Sequence, residues 1–520
     1  MVRILKKIKT FIILYICFCL CLSLVSCKND DYSDKSIVFA TNESVSTFDP
    51  QLARTSAEIT VASNSFEGLL TKDEHGDIVN AAIESYAILN DEKTVYSFKI
   101  KDGLVWSDGE TPLTAADFEF GIKRAVSPET ESPYVSALYS IKNAEKINKG
   151  KKNVSTLGVS ADNDKNTLII KLEYADDGIL ETLTRPMCFP CNEEYFYSTS
   201  GKYGLSNKYI ISNGAFSINY YNPDTKTVII QRNDDYEGEY GAIPKQITVN
   251  YSESYEDIYS GFQAKEIDVG RIECGYLKSL DESGFKSELY YNTNYCLYMS
   301  EKLVSSSGSN LNKALSHDID SGTLQKNITD YYKQISGIIP AVNLFEGKSY
   351  RSMAGSVKFP EYNKSKAEKL LGSFDSASEK LNGLSVYYPN EDERLALISN
   401  LIVQGWQKDL NVYINSSEEK TENILSKIKS DEISMAIIPI LSENNSAVTS
   451  LNSLYELKIG KNAEGYSATE LLDSEQNLVD KGIIYPLLSI PVAVSYSSEI
   501  SGFSASSDGK IVDFRFIKKS

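Results

Sequence analysis

Apolar residues recur along this chain at two alternating periods. Tyr96, Phe98 and Ile100 alternate with polar neighbours as in a strand with one buried face, and Ile37 to Ala40, Leu168 to Leu172 and Val228 to Gln231 describe further strands. Between these the spacing shifts to that of a helix. Thr55-x-x-Glu58 is a capping box that opens a helix with Ile59, Ala62, Phe66 and Leu69 on one face. Thr114 caps a second helix, with Asp117 at its third position. That helix turns Phe118, Ile122 and Val126 inward and stops before Pro128. Turns are expected at Asp49-Pro50, at Ser107-Asp108-Gly109 after Leu104-Val105-Trp106, and at the Asn213-Gly214 pair.

The last third alternates regularly. A strand near Leu384 to Tyr388, a helix from about Asp392 to Leu410, a strand Val412 to Ile414, a helix near Glu419 to Ile428 and a strand Ile433 to Ile440 predict a parallel or mixed sheet covered by helices. Leu395, Ile398, Ile402 and Trp406 repeat at three and four residues, the stripe of a helix packed on a core. The amino terminus is different in kind. Arg3, Lys6, Lys7 and Lys9 precede an apolar run from Phe11 to Leu24, too short for the roughly 20 residues of a comfortable membrane span, and Leu24-Val25-Ser26-Cys27 follows. These features are those of an export signal. Lys28 to Lys35 is polar and reads as a tether.

A chain of 520 residues exceeds what one core usually supports, so two or three domains are expected. Loss of residues 1–26 removes four basic and no acidic residues, which takes the formal charge from −18 to −22. Nucleic acid is thereby an unsuitable partner, because phosphate binding needs a basic face. Of eight cysteines, Cys188, Cys191, Cys274 and Cys296 remain in the body, enough for two disulfides in three pairings. Cys188-Phe189-Pro190-Cys191 has redox spacing but no thioredoxin-like βαβ context, and structural cysteines are expected. His75 and His317 are the only histidines and lie far apart, which disfavours a zinc site. No G-x-S-x-G, G-x-x-x-x-G-K or H-E-x-x-H occurs, and no enzyme, metal or cofactor is implied.

Several blocks resemble, in order, the signatures of the bacterial oligopeptide-binding proteins, solute-binding family 5. They are Thr47-Phe48-Asp49-Pro50, Phe66-Glu67-Gly68-Leu69-Leu70, Trp106-Ser107-Asp108-Gly109 with Pro112-Leu113-Thr114-Ala115-Ala116-Asp117-Phe118, Ser132-Pro133-Tyr134, and Asn213-Gly214-Ala215-Phe216. Ala314-Leu315-Ser316 with Ile319-Asp320, Lys366-Ala367-Glu368-Lys369-Leu370-Leu371, and Trp406 before an apolar strand continue the series. Leu24-Val25-Ser26-Cys27 is similar to a lipobox, which implies cleavage before Cys27 and a lipid on its sulfur. The resemblance implies an α/β, two-lobed periplasmic-binding-protein-like fold with mixed sheets and an inserted extra domain. In this division residues 1–26 are a signal peptide and 27–35 a tether. Residues 36–65, 195–275 and 488–520 form the first lobe, 66–194 the inserted domain and 276–487 the second lobe.

The implied function is capture of oligopeptides in the interlobe cleft for an ABC importer, by a monomer anchored to the membrane through lipid on the extracytoplasmic side. The implied partners are a peptide and the importer's permease subunits. By motif matching, Arg54, Ser56, Tyr134, Glu301 and Glu443 fall where family members contact ligand, Glu443 in the place of the ammonium-binding acid, and Asn213-Gly214 form a hinge or cleft motif. Pro439-Ile440 stands where such members usually carry Gly-Trp, and Pro486-Leu487-Leu488-Ser489-Ile490-Pro491 replaces a tyrosine-rich strand, so the pocket diverges more than the core blocks do. The same fold serving a dipeptide, signalling peptide, sugar or metal chelate is an alternative, as is a surface lipoprotein that senses or adheres. With only Trp106 and Trp406, both at core-type positions, a sugar-stacking cleft is disfavoured.

Overall fold

The computed structural model describes residues 35–520 apart from 177, 304–309, 328–330, 346–347, 373–380, 391–392, 443–445 and 464. The apolar run 11–24, Cys27 and Glu443 therefore lie outside the described residues. No described helix is long and apolar enough to cross a membrane.

Three sheets organise the molecule. The first has seven strands in the order Lys286–Tyr290, Val492–Tyr496, Val269–Ile272, Ser36–Thr41, Gln246–Tyr251, Thr227–Arg232, Phe216–Asn222. Ser36–Thr41 runs parallel to both neighbours and the outer pairings are antiparallel. The second sheet is Asn415–Glu419, Ser385–Pro389, Met435–Leu441, Thr293–Met299, Ile484–Ser489, again mixed. The third, wholly antiparallel, comprises Ile83–Ile88, Val95–Ile100, Thr167–Lys171 and Val159–Asp162.

The packing explains how these bodies behave. In the five-stranded sheet alternate residues serve different cores: Cys296, Ala436, Ile438 and Ile440 on one face, Leu297, Met299, Met435 and Ile437 on the other. Helices cover both faces, and the stripe Leu395, Ile398, Ile402, Trp406 is fully buried against one of them. By contrast, one continuous core runs from Phe39 of the seven-stranded sheet to Phe98 and Trp106 of the four-stranded body. A shared dry core leaves no independent surface along which the two could slide, so the inserted body moves with the seven-stranded lobe.

Both expected capping boxes form. Thr55 and Glu58 cap helix Ser56–Ser65, and Thr114 and Asp117 cap helix Ala115–Val126. Three local expectations change. Helix Ser56–Ser65 ends before Phe66 and Leu69, which are buried in the non-helical chain that follows it instead. The strand expected at Val412 to Ile414 lies at Asn415–Glu419; the apolar pair is buried in the approach to it, while the strand itself is polar because it is a sheet edge. Asn213-Gly214 is not a reversing turn. Asn213 Oδ1 accepts the Glu67 N–H at 3.1 Å and its Nδ2 donates to the Glu67 carbonyl at 2.9 Å, while Gly214 N–H donates to the Ser65 carbonyl at 2.9 Å. The pair clamps the segment where the chain leaves the first lobe to the segment where it returns.

Candidate functional site

Two connections carry the chain between the seven- and five-stranded sheets, and they lie side by side. Strand Lys286–Tyr290 pairs with Val492–Tyr496 in one sheet, and Thr293–Met299 pairs with Ile484–Ser489 in the other. Only Tyr291-Asn292 and Ile490-Pro491 separate the two halves of this ribbon, so the first crossing falls beyond the 275/276 boundary expected from sequence. Two adjacent short connections concentrate any change of backbone angle in four residues, as in a hinge. Asn292 is held from several sides: its carbonyl accepts Ser442 N–H at 2.9 Å, its Oδ1 accepts Thr293 Oγ1–H at 2.9 Å, and its Nδ2 donates to the Asp508 carbonyl.

Beside the hinge is a cavity of about 230 Å³, lined by both lobes. Glu43, Ser56, Arg271 and Glu273 face it from the seven-stranded side, Thr293, Tyr295 and Arg394 from the five-stranded side, and Ile490 and Pro491 from the hinge. Small-molecule pockets usually run from about 300 to 1,000 Å³. In this arrangement the cavity suits a short ligand, and a longer one needs the lobes further apart.

The segment that brings Ser56 to the cavity is fixed by buried polar groups. Glu58, 3% exposed, accepts the Arg54 and Thr55 N–H groups at 2.8 and 3.1 Å through one oxygen and the Ser46 N–H at 2.9 Å through the other. Glu43 Oε2 accepts the Ala57 N–H at 3.2 Å. Upstream, Asp49 pairs with Arg124 at 2.5 Å, and Arg124 also donates to Gln51 Oε1 at 2.7 Å and lies 4.1 Å over the Phe196 ring. The Asp49-Pro50 turn is thereby tied to the inserted body. Arg271 donates to the Gly509 carbonyl at 2.7 Å and to the Lys510 carbonyl. Burial pulls its pKa below the usual guanidinium value, with Glu43 and Asp508 acting in the opposite sense.

The sequence-derived site residues are dispersed. Ser56 lines the cavity. Arg54 is exposed two residues earlier, and its carbonyl accepts the Tyr134 hydroxyl at 2.9 Å. Tyr134 lines a separate crevice with Ala53, Ile59 and Lys510. Thr293 of strand Thr293–Met299 lines the cavity, whereas Glu301 lies past the other end of that strand, in an outer groove with Lys461 and Lys481. Glu443 follows Ser442, which bonds the hinge, but is itself outside the described residues. Asn213 and Gly214 lie at the junction with the inserted body. Glu43, Arg271, Glu273 and Arg394 were not singled out from sequence. Arg271 had a signal, as the one charge in the fully buried strand Val269–Ile272.

Cys188, Cys191, Cys274 and Cys296 are all buried and none is joined to another by a disulfide, so none of the possible pairings forms. Burial pushes the Cys188 thiol up to about 12 and Cys191 to about 11, so both are protonated near neutral pH, unlike a redox dithiol.

A mixed α/β pair of lobes on a two-connection hinge, with an inserted antiparallel body and a cavity reached from both sides, defines a solute-binding protein of the periplasmic-binding type. The chain belongs to the bacterial extracellular solute-binding proteins, family 5: the family described as "Bacterial extracellular solute-binding proteins, family 5 Middle" matches residues 77–462. Among its relatives, the oligopeptide-binding protein OppA of Bacillus subtilis is 26% identical over 443 residues, 83% of this chain and 80% of OppA. The dipeptide-binding protein DppE of the same organism is 24% identical, over 73% of this chain and 69% of DppE. Among solved structures, Listeria monocytogenes OppA bound to peptide superposes with a TM-score of 0.77 at 20% identity, over 94% of this chain and 99% of that one. That last likeness is one of fold.

Proposed function

We propose that this protein captures short peptides in the interlobe cleft and presents them to an ABC importer from a lipid anchor at Cys27. The observation that carries the reading is the cavity itself. It is lined by both lobes beside the hinge and contains Ser56 together with both signs of charge, as a zwitterionic ligand requires. A ligand that touches both lobes favours the closed arrangement by its differential affinity for it, and that arrangement becomes the signal a transporter reads. The relatives named for oligopeptide and dipeptide binding support the substrate class. In this reading Ser56 and the adjoining Arg54 face ligand from the first lobe, and Glu443 pairs with the ligand ammonium from the second. The extracytoplasmic location and the monomeric state belong to the same proposal.

Native mass spectrometry of the purified full-length protein, before and after mild denaturation, tests it. Release of a heterogeneous set of short peptides is the expected result. If nothing peptidic is released, and a tripeptide library at about a hundredfold excess over a plausible dissociation constant adds none of the roughly 2.7 kcal/mol of stability that mass action requires, the proposal fails.

A further inference from the structure

The inserted body carries a cluster of positive charge on an otherwise acidic protein. Lys142, Lys146, Lys149, Lys151 and Lys152 fall within eleven residues with Glu145 as the one acid among them, whereas residues 27–520 together have a formal charge of −22. The fold gathers these lysines. Helix Ala144–Asn148 turns Ala144 and Ile147 into the core, which leaves Lys146 and Lys149 on its outer side. Lys142 N–H donates to the Lys171 carbonyl at 2.8 Å and Lys152 Nζ donates to Asn143 Oδ1 at 2.7 Å, so the end of strand Thr167–Lys171 and the loop after the helix adjoin it. All six lysines are exposed. Lys146 pairs with Glu173 at 3.0 Å and Lys149 with Glu145, and Glu456 of the second lobe lies near enough to act on Lys149. Lys142, Lys151, Lys152 and Lys171 form no ion pair among the described residues.

The cluster is placed where a tethered body can bring it to a surface. Ser36, Gln246, Gln231 and Ser217 stand in one row across the seven-stranded sheet, so the tether joins the end of the sheet at which Asn213-Gly214 clamp the inserted body. Within that body the four-stranded sheet meets the junction through Ala82, whose N–H donates to the Gly68 carbonyl at 3.2 Å and whose carbonyl accepts the Lys101 N–H at 3.0 Å. Lys171, paired with Val95, lies at the other end of the same strands. Three strand spacings along one sheet and one strand length along the other, about 15 Å and about 17 Å, thus lead from the tether to the cluster beyond the junction. Lys28 to Lys35 can span at most about 29 Å. Anchor and cluster can therefore meet one plane.

We propose that this cluster lies against the anionic phospholipid headgroups of the membrane that holds the protein. The inference rests on the lipid anchor at Cys27 and is independent of which solute the cleft takes. At physiological salt a surface acts on charges within about 8 Å, so an anionic bilayer repels most faces of this acidic body and attracts this one. The anchor raises the local concentration, and a contact too weak to hold a free protein suffices. The inserted body then fixes how the molecule stands. The first lobe, which shares its core, is fixed with it, and the second lobe is the part that moves.

The test uses the full-length protein, purified with its anchor and reconstituted in vesicles of phosphatidylcholine alone or of phosphatidylcholine and phosphatidylglycerol mixed two to one. A fluorophore on Ser155→Cys, exposed beside the cluster, reports energy transfer to an acceptor in the headgroup layer. The four cysteines of the body are buried, so the label goes to the added thiol. Each lysine near an anionic surface favours contact about fivefold. Transfer is therefore high in the mixed vesicles, low in phosphatidylcholine, and low in both at about 0.5 M sodium chloride. Lys142→Gln, Lys146→Gln, Lys149→Gln and Lys151→Gln together abolish the difference between the lipids. The same four positions changed to arginine preserve it, which separates loss of charge from loss of fold.

Equal transfer in the two lipids, or a lipid difference that survives the four glutamines, overturns this inference. Equal transfer together with lost solute uptake in the glutamine variant overturns it too, and assigns the cluster to the permease. The anchor is checked separately, by the mass of the amino-terminal peptide. If Cys27 carries no lipid, the anchor reading falls and cosedimentation with the two vesicle types decides the cluster alone. Selective sedimentation with the mixed vesicles, removed by the four glutamines, supports the contact, and its absence overturns it.

Discussion

Buried charges report what single residues contribute. The Asp49–Arg124 pair is nearly dry, with side chains 2% and 10% exposed, and it joins the strap before Ser56 to the helix Ala115–Val126. Removing one partner of such a pair leaves the other buried and uncompensated, at a cost of about 3–5 kcal/mol. Asp49→Ala should lose stability of that order in urea denaturation, and Arg124→Met with Asp49→Leu should restore much of it. Asp318 illustrates the reverse situation. It is 3% exposed, neither of its carboxylate oxygens is hydrogen bonded among the described residues, and burial together with repulsion from Asp409 pushes its pKa to about 7 from an ordinary 3.8. The folded protein thus holds this proton more tightly than the unfolded chain. The corresponding stability is fully present below about pH 4 and is lost as pH rises to about 7. Asp318→Asn should therefore match the parent at pH 4 and exceed it increasingly up to pH 7.5, measured as denaturation midpoints across that range.

At the scale of elements, close backbone approach decides one junction. A Cβ added at Gly214 would stand 2.7 Å from the Ser65 carbonyl carbon and oxygen, both main-chain atoms that cannot step aside cheaply. Gly214→Ala should cost about 1–3 kcal/mol through forced displacement, read as a fall in thermal midpoint. Adding Asn213→Ala should deepen the loss, since it removes both hydrogen bonds to the Glu67 peptide. The same junction shows what was legible in the sequence. Caps at Thr55 and Thr114 were readable because donor and acceptor sit three residues apart, and the buried stripe of Leu395 to Trp406 because a helix repeats it. Asn213-Gly214 carried the composition of a turn but works as a clamp on residues far away in the chain. The polar edge strand Asn415–Glu419 had no apolar alternation to find. At the site, Ser56 followed from a motif next to a cap, whereas the approach of Glu273 to Arg394 arises only when two sheets fold against each other, and no local pattern encodes it.

For the whole molecule the hinge is the controlling feature. Since the inserted body shares a core with the seven-stranded lobe, the expected motion is that of two rigid parts about Tyr291-Asn292 and Ile490-Pro491, not three. Small-angle scattering should show one compaction step on ligand binding, with the distances inside each part unchanged. Pro491→Gly gives one connection added backbone freedom, worth about 0.4–1 kcal/mol in the less ordered state. It should weaken ligand affinity about two- to fivefold while leaving the other cavity residues in place, measured by calorimetric titration.

The strand order also sets a clock. Val512, Phe514 and Ile517 pack in the same core as Ile37 and Phe39, and strand Val492–Tyr496 is inserted between Val269–Ile272 and Lys286–Tyr290. The five-stranded sheet likewise waits for Ile484–Ser489. Of the three sheets, only the four-stranded one is built from neighbouring sequence, within Ile83 to Lys171. Contacts between such distant segments form late, because the loop between them must first be closed. As the chain emerges from the ribosome, neither lobe can finish until nearly the last residues are made. The two lobes therefore stay incomplete for almost the whole time of synthesis, while the four-stranded body between Ile83 and Lys171 can form early.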